Sequence, residues 1–285
     1  MDKVIKSVLD ELNKEYEAYL VGGYVRDYLL GIKTYDVDIC TTALPKDIYS
    51  IFNICANNYG GAKLILDNYN IDITTFRKDS HYNKRRPMEV EYITDLMTDL
   101  KRRDFTINTI CMDKFGNIVD LLNVKNDIDK KIINTVIDPL KSFKIDSLRI
   151  LRALRFATTL DFELSFSVKE AIKQYKYLLK DLSINRKKSE LDKIFSSPNI
   201  MKGIELIKEL GLEEVLSLNK LNEIKPCSQL IGIWTILEVD KIYPFTRNEL
   251  KLMKDIRDAV KNDPLSFETL YYDDLYPCTV AAEIM

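Results

Sequence analysis

The N-terminal part of the chain alternates between short apolar runs and stretches with helical spacing. Residues 18–21 form an apolar run that stops at Gly22 and Gly23, and residues 24–30 then have the pattern of a helix. Polar and apolar residues alternate over 35–40, which is typical of a half-buried strand. Further strands are predicted at 62–66, 70–76 and 88–93, with a polar loop around residues 78–87. The first 125 residues therefore predict one mixed sheet with helices.

Beyond residue 126 the strand patterns largely disappear. Apolar residues instead repeat with a helical period over about 140–160, 167–181, 185–196, 199–210 and 247–261. The whole pattern predicts an α+β protein with an N-terminal mixed β-sheet head over 1–125, an all-helical neck over 126–200 and a short helical body over 201–285.

Charge is unevenly distributed along a chain that is close to neutral. The formal net charge is −2, which by itself indicates no nucleic-acid partner. Residues 101–193, however, hold 20 Lys and Arg against 13 Asp and Glu. This stretch could therefore bind a polyanion.

Cysteine and histidine usage narrows the chemistry. The five cysteines are odd in number and form no C-x-x-C pair, which disfavours disulfides and zinc sites and favours a reducing cytoplasm. The sequence contains a single histidine, His81, so that a histidine-based metal cage is excluded and carboxylates must carry any metal chemistry. No signal peptide or membrane span is expected, and no pattern indicates an oligomeric state.

The most specific motif combines a glycine turn with a pair of strand aspartates. Gly22 and Gly23 would let the backbone approach a triphosphate, and Arg26 could bind one of its phosphate oxygens. Asp36 and Asp38 project from the same face of the predicted strand, where two carboxylates can hold Mg²⁺. A lone glycine pair or a lone D-x-D is weak support for a site, but the two together are far more specific.

The run from Gly22 to Gly31, followed by Asp36 and Asp38, resembles the signature of class II tRNA nucleotidyltransferases (CCA-adding enzymes) and bacterial poly(A) polymerases. The resemblance covers about residues 15–195. It implies a nucleotidyltransferase head and a third acidic residue at Asp72. From the residues alone, Asp72 could equally be an exposed strand aspartate.

A second matching motif runs from Arg102 to Asn108. It has the family's R-R-D-F-T-I-N sequence, which in relatives contacts the sugar and phosphates of the nucleotide. Arg103 and Asn108 are accordingly expected to contact the nucleotide, and Asp104 could accept a hydrogen bond from a ribose hydroxyl.

The predicted helix containing residues 146–156 indicates which bases are accepted. At 100° per residue, Asp146, Arg149, Arg152 and Arg155 lie on one half of the helix and apolar residues on the other. A carboxylate beside a guanidinium complements an amino group next to a bare ring nitrogen, which cytosine and adenine present and uracil and guanine do not. This stretch resembles the family's E-D-x-x-R motif, whose Asp and Arg select CTP and ATP, although Ile145 replaces the Glu.

Two weaker matches surround these motifs. Residues 183–191 resemble a family helix in which Asn185 replaces the usual Glu, and residues 77–87 resemble the loop that CCA-adding enzymes use when they change to ATP. The latter match is one residue shorter and lacks the usual Asp, so addition of the terminal A is less firmly predicted than addition of C.

The combined motifs predict an enzyme that adds CCA to tRNA from CTP and ATP with Mg²⁺ as cofactor. Other possibilities are a CC-adding or A-adding activity alone, a poly(A) polymerase, or an inactive RNA-binding descendant. Most relatives continue well beyond 285 residues, so the chain is expected to be either compact or truncated.

Overall fold

The computed structural model describes residues 1–54, 61–83, 86–224, 229–261 and 275–284, with side chains described for the same residues except 80–89 and 275–279. The chain divides into two compact units, Met1–Ile145 and Asp146–Met285. The first contains the sheet and the second is mainly helical, as the sequence predicts. The predicted boundaries after residues 125 and 200 stay predictions.

The first unit is a mixed six-stranded sheet with helices. Its helices are α1 (Lys3–Leu12), α2 (Gly23–Leu29), α3 (Pro45–Ile51), α4 (Leu96–Lys101), α5 (Lys125–Asp129) and α6 (Pro139–Ile145), with a 3₁₀ turn at Thr106–Asn108. Its strands are β1 (Ala18–Val21), β2 (Asp36–Thr41), β3 (Gly61–Leu66), β4 (Tyr69–Thr75), β5 (Arg77–Asn83), β6 (Arg86–Tyr92), β7 (Cys111–Met112), β8 (Ile118–Val119) and β9 (Ile132–Ile133).

The strand order of the sheet is β3-β4-β2-β1-β7-β8. The central pair β2 and β4 is parallel, whereas β1 pairs antiparallel with β2 on its other side. The parallel register places Asp38 of β2 directly beside Asp72 of β4. Because residues opposite each other in a ladder share a face, the register puts these two aspartates on the same side of the sheet.

The two faces of β2 have different surroundings. Val37 and Ile39 are buried on one face. On the other face Asp36 and Asp38 are exposed at the start of the strand, and Cys40 is fully buried further along. Cys40 packs there in an apolar cluster with Val21, Phe76, Leu96, Leu100 and Cys111. The strand therefore runs from a polar surface into a core.

The predicted polar loop at 78–87 is wrong for residues 78–83 and 86–87, while residues 84 and 85 lie outside the described ranges. Strands β5 and β6 form an antiparallel hairpin, with Arg77 opposite Tyr92 and Asn83 opposite Arg86. These strands form a separate two-stranded sheet. Backbone hydrogen bonds define the pairing of the two strands, so this ribbon forms without an apolar alternation. A polar sequence of this kind predicts a loop even where the backbone is paired.

The second unit is built from helices α7 (Leu148–Thr159), α8 (Phe166–Tyr175), α9 (Ile184–Phe195), α10 (Ile200–Glu209), α11 (Glu213–Leu216), α12 (Leu230–Leu237), α13 (Arg247–Lys261) and α14 (Leu275–Ile284). It also has 3₁₀ turns at Lys176–Asp181 and Leu221–Glu223 and the short strand β10 (Glu163–Leu164). Helix α7 packs on α9 and α10. The contact between α7 and α10 is close, since a Cβ at Gly203 of α10 would lie 2.9 Å from Oγ1 of Thr158 on α7.

The continuous helix predicted over 140–160 is wrong at its centre. Helix α6 ends at Ile145 and α7 begins at Leu148. The carboxylate of Asp146 accepts the backbone N–H of Leu148 at 3.0 Å, so this short polar side chain replaces a helical hydrogen bond. Asp146 therefore precedes the helix, and the predicted helical face begins at Arg149 instead.

Within the described ranges, no helix combines the length and the apolar character that a membrane crossing requires.

Candidate active site

The aspartates predicted to bind metal lie at one end of the central strands. Asp36 and Asp38 project from the same face of β2, and Asp72 is the register partner of Asp38 on β4. The Asp36 carboxylate accepts a hydrogen bond from the Asn70 amide at 3.0 Å, and Asp72 lies 3.7 Å from the Lys63 ammonium. The sheet register thus brings all three predicted carboxylates to one face.

The glycine turn packs directly on Asp38. Gly22 has φ +74° and ψ −140°, a conformation that disfavours any residue with a Cβ. A Cβ at this position would also lie only 2.8 Å from Oδ2 of Asp38. The N–H of Gly23 donates a hydrogen bond to the Asp38 carboxylate. The sequence predicts this glycine beside a triphosphate. The turn therefore positions a candidate metal ligand.

The protein around Asp38 leaves its negative charge undercompensated. Although the side chain reaches solvent, desolvation is the largest influence and raises the pKa of Asp38, and the nearby Asp72 and Asp36 carboxylates raise it further. The guanidinium of Arg103 and the N–H of Gly23 act in the opposite direction without cancelling the rise in pKa. A cation placed among these carboxylates would remove this destabilisation.

The carboxylates fit a magnesium ion that also contacts a nucleotide. In the part of the chain that the structure describes, no three His, Cys, Asp or Glu side chains are arranged to enclose a metal ion by themselves. Mg²⁺ at nucleotide sites is usually held by one or two carboxylates together with phosphate oxygens and water. Asp36 and Asp38 supply such an incomplete ligand set, with hard oxygen donors on one exposed face.

Arg26 is buried in a polar network with the second motif. Its Nη1 donates to Oδ1 of Asn108 at 2.9 Å, and its Nε donates to the Asp27 carboxylate at 2.8 Å. The amide of Asn108 donates in turn to Asp104 at 3.3 Å. The structure therefore joins three of the predicted nucleotide-binding residues, Arg26, Asn108 and Asp104, through direct hydrogen bonds.

Arg103 is held by Asp99, a residue that the sequence motifs do not identify. Nη2 of Arg103 donates to Oδ2 of Asp99 at 3.0 Å, and Asp99 is fully buried on α4. Asp99 precedes Arg102 by three residues and Arg103 by four, a spacing at which helical side chains meet. That spacing was the signal in the sequence that could have identified Asp99.

The predicted base-selecting residues lie at the beginning and along one side of α7. Arg149, Arg152 and Arg155 are partly exposed, whereas Ile150, Leu151, Ala153 and Leu154 between them are buried. The predicted division of this helix into a charged and an apolar side is confirmed for these residues. Asp146 lies one residue outside the Ser147 cap, and its backbone carbonyl accepts the N–H of Arg149 at 3.1 Å.

Arg155 has a buried partner on α9. Its Nε donates to Oε2 of Glu190 at 2.6 Å, and its guanidinium lies 4.0 Å from the centre of the Phe156 ring. Glu190 belongs to the weak match at 183–191, for which the sequence predicts a structural role. This ion pair anchors the charged side of α7 to α9.

The chain matches two family models. Residues 18–134 match the poly A polymerase head domain, and residues 161–219 match the probable RNA and SrmB-binding site of polymerase A. The first match contains the aspartate face, the glycine turn and the R-R-D-F-T-I-N motif.

Two relatives that are CCA-adding enzymes are similar to this chain over most of its length. The CCA-adding enzyme of Anoxybacillus flavithermus is 35% identical over 282 residues, which cover 97% of this chain and 70% of the relative. That of Bacillus pumilus is 42% identical over 205 residues, or 70% of this chain and 51% of the relative. The chain thus spans between half and 70% of the length of these two relatives.

A solved structure has the same fold. The crystal structure of the Bacillus stearothermophilus CCA-adding enzyme in complex with CTP superposes with a TM-score of 0.86 at 28% identity, covering 100% of this chain and 78% of that one. With the α+β fold, the head motifs and relatives similar along nearly its whole length, the chain belongs to the CCA-adding enzyme family of tRNA nucleotidyltransferases.

Proposed function

We propose that this chain adds C and A nucleotides to the 3′ end of tRNA, with CTP and ATP as substrates. The observation that carries the proposal is the aspartate face, on which Asp36 and Asp38 lie together beside Asp72 and are packed against the Gly22 turn. A module that only bound RNA would have no use for carboxylates gathered where phosphates must lie, because like charges repel.

Asp36 and Asp38 would hold Mg²⁺ in this proposal. When bound, such ions activate the attacking hydroxyl and stabilise the charge on the leaving pyrophosphate. The 3′ hydroxyl of the RNA attacks the α-phosphorus of the nucleotide, a new phosphodiester bond forms, and the bond to pyrophosphate breaks. Asp72 adds negative charge beside Asp38 and helps to hold the cations there.

Arg26 and Arg103 would hold the triphosphate, with Gly23 leaving room for its phosphates to approach the backbone. The two guanidiniums supply charge-assisted hydrogen bonds to phosphate oxygens. Both are already oriented by protein partners, Arg26 by Asn108 and Asp27, and Arg103 by Asp99. Orientation in advance lowers the entropy lost on binding. The Asp104 carboxylate accepts a hydrogen bond from a ribose hydroxyl in this arrangement.

Asp146 and Arg149 would select the base. The carboxylate accepts the exocyclic amino group of cytosine or adenine, and the guanidinium donates to the adjacent ring nitrogen. Uracil and guanine present a carbonyl oxygen and an N–H instead, which leaves both partners unpaired. Arg152 and Arg155 continue the same side of α7 and contribute positive charge near the nucleotide.

The cytoplasm is the proposed compartment for this activity. Of the cysteines in the described ranges, Cys40 and Cys111 are free thiols buried side by side. Hydrogen bonding with Cys40 and then burial raise the pKa of Cys111, which keeps this thiol protonated and unreactive.

The test is nucleotide addition by the intact chain with Mg²⁺. Transcripts of tRNA that end at the discriminator base, at C, or at CC are incubated with each of the four nucleoside triphosphates separately. The expected products are C addition to the first two transcripts and A addition to the third. Incorporation of UTP or GTP at the rate of CTP would contradict the proposal. C addition without A addition would indicate a CC-adding enzyme, and a long A tail on unrelated RNA would indicate a poly(A) polymerase.

A further inference from the structure

Asp99 is a carboxylate buried where an apolar residue would be expected. It lies on α4 between Leu96 and Leu100, both of which belong to the apolar cluster around Cys40. Its side chain is fully shielded from solvent. A buried carboxylate destabilises the fold unless its charge is paired and its oxygens are hydrogen-bonded, so its partners show what it is for.

Both oxygens of Asp99 are occupied by donors from the protein. Oδ1 accepts from Nε of Arg102 at 2.9 Å and from the backbone N–H of Arg77 at 3.1 Å, and it lies 2.7 Å from Nη2 of Arg102. Oδ2 accepts from Nη2 of Arg103 at 3.0 Å. With donors on both oxygens the carboxylate cannot rotate, and the guanidinium bound to Oδ2 is fixed in turn.

The two arginines that share Asp99 differ in their remaining surroundings. Arg102 also lies 3.9 Å from the buried carboxylate of Asp79, which places it in an ion-pair network inside the protein. Arg103 instead follows Leu100, which packs with Cys40 on the same face of β2 as Asp38, and the Arg103 side chain is 16% exposed. Its Nε is buried without a hydrogen-bond partner among the described residues. Arg103 is therefore held by Asp99 at Nη2 while part of its side chain stays open to solvent.

We propose that Asp99 is a positioning residue that holds Arg103 in the orientation in which its guanidinium binds the triphosphate beside Asp36 and Asp38. This inference rests on the proposed function, since it takes Arg103 as a triphosphate ligand. Asp99 itself touches no substrate. Its negative charge and its fixed geometry act only through the hydrogen bond to Arg103.

The first variant is Asp99→Asn, with Asp127→Asn as the matched control. An amide in place of the carboxylate offers one acceptor oxygen and turns an N–H₂ group toward one of the two guanidiniums. Asp127 is also a carboxylate with two protein partners in the first unit, but these are the Thr106 hydroxyl at 2.7 Å and the Asn134 amide at 3.1 Å. Asp127→Asn is therefore expected to leave triphosphate binding within about twofold of the unchanged chain.

Binding of tripolyphosphate and of cytidine separates positioning from general damage. Both are titrated into the intact chain with Mg²⁺ and followed by calorimetry, alongside KM and kcat for CTP. Asp99→Asn is expected to weaken tripolyphosphate binding and raise KM for CTP by about ten- to a hundredfold, the usual effect of losing a charge-assisted hydrogen bond. Affinity for cytidine, which has no phosphate, should change less than about twofold.

A double-mutant cycle tests the route through Arg103. Arg103→Ala should weaken tripolyphosphate binding at least as much as Asp99→Asn, and adding Asp99→Asn to it should weaken binding no further. If Asp99→Asn fails to fold, as judged by circular dichroism, Asp99→Glu replaces it. The glutamate keeps the charge but displaces the carboxylate by one methylene, and a tenfold or greater loss of tripolyphosphate affinity is expected.

The possible results distinguish failure of the Asp99 inference from failure of the proposed function. A folded Asp99 variant with the tripolyphosphate affinity of the unchanged chain overturns the inference, and so does an equal loss of affinity for tripolyphosphate and cytidine. If either occurs while the unchanged chain still adds C to tRNA, only the role of Asp99 is lost. If the unchanged chain binds neither CTP nor tripolyphosphate, the proposed function fails and the inference fails with it.

Discussion

The two units position their charged residues by different means. In the first unit Asp36 and Asp38 are fixed by the ladder of β2, and Arg26 and Arg103 each have a buried partner on another segment or turn. In the second unit Asp146 precedes the first turn of α7, and its carboxylate caps the N–H of Leu148.

The difference matches the tasks proposed for each unit. Metal and triphosphate binding is the same for every nucleotide, and it is assigned to a rigid sheet face. Base selection must accept both cytosine and adenine, and it is assigned to the start of a helix. Changes in the first unit should therefore reduce transfer of all nucleotides alike, whereas changes at Asp146 should alter which nucleotide is used.

The largest effect is expected for Asp38→Ala. Loss of this carboxylate removes a metal ligand, and a loss of several kcal/mol in transition-state stabilisation corresponds to a decrease in kcat of about a thousandfold or more. Transfer from CTP and from ATP should fall together, with an unchanged circular dichroism spectrum. Asp10→Ala, at an exposed position on α1, serves as control. Retained turnover in the Asp38 variant would rule out the assignment of this metal ligand.

Most of the sheet and the main motifs could be predicted from the sequence. The apolar run at Ala18–Val21 corresponds to β1, which is buried along most of its length. The alternation over 35–40 corresponds to β2, because a strand with one buried face leaves a period of two in the sequence. The same period predicts that Asp36 and Asp38 share a face. Their position beside Asp72 depends on strand register, which a single sequence does not define.

Three features were mispredicted or missed for physical reasons. The hairpin β5–β6 is paired through its backbone and its polar sequence carries no strand pattern, and the break at Asp146 arises from a side-chain hydrogen bond within an otherwise helical sequence. Asp99 was missed because charged residues are usually solvated, and only the fold shows that this one is fully buried.

The next effect tests whether the glycine turn positions Asp38. Gly22→Ala places a Cβ at a position with φ +74° and 2.8 Å from Oδ2 of Asp38. Such strain costs about 1–3 kcal/mol, and the displacement of Asp38 should lower kcat by about a hundredfold. Thermal unfolding and single-turnover rates measure the two effects.

Gly31→Ala provides the matched control for that variant. Gly31 also has a positive φ, +71°, but a Cβ there would have no atom within 4 Å. Gly31→Ala should lose about 1–2 kcal/mol of stability and keep its rate of transfer within about twofold. Equal loss of activity in both glycine variants would mean that backbone strain, and not contact with Asp38, controls the site.

A smaller effect is expected in the second unit from Glu190→Gln. This change removes the charge partner of Arg155 in an ion pair whose side chains are only 16% and 7% exposed. Unfolding in urea should show a stability loss of about 1–3 kcal/mol. The relative rates of transfer from CTP and from ATP should not change. Glu209→Gln breaks the more exposed pair with Lys169 and should cost less than about 1 kcal/mol. Equal losses would show that burial of the Arg155 pair is unimportant.

The most direct test of the central claim compares CTP with UTP in the Asp146→Asn variant. The measured quantity is the ratio of kcat/KM for the two nucleotides on a tRNA transcript ending at the discriminator base. The unchanged chain should prefer CTP by at least about a hundredfold, and the variant, whose amide can donate to the O4 of uracil, should lose about tenfold or more of that preference. An unchanged ratio in the variant would contradict base selection by Asp146.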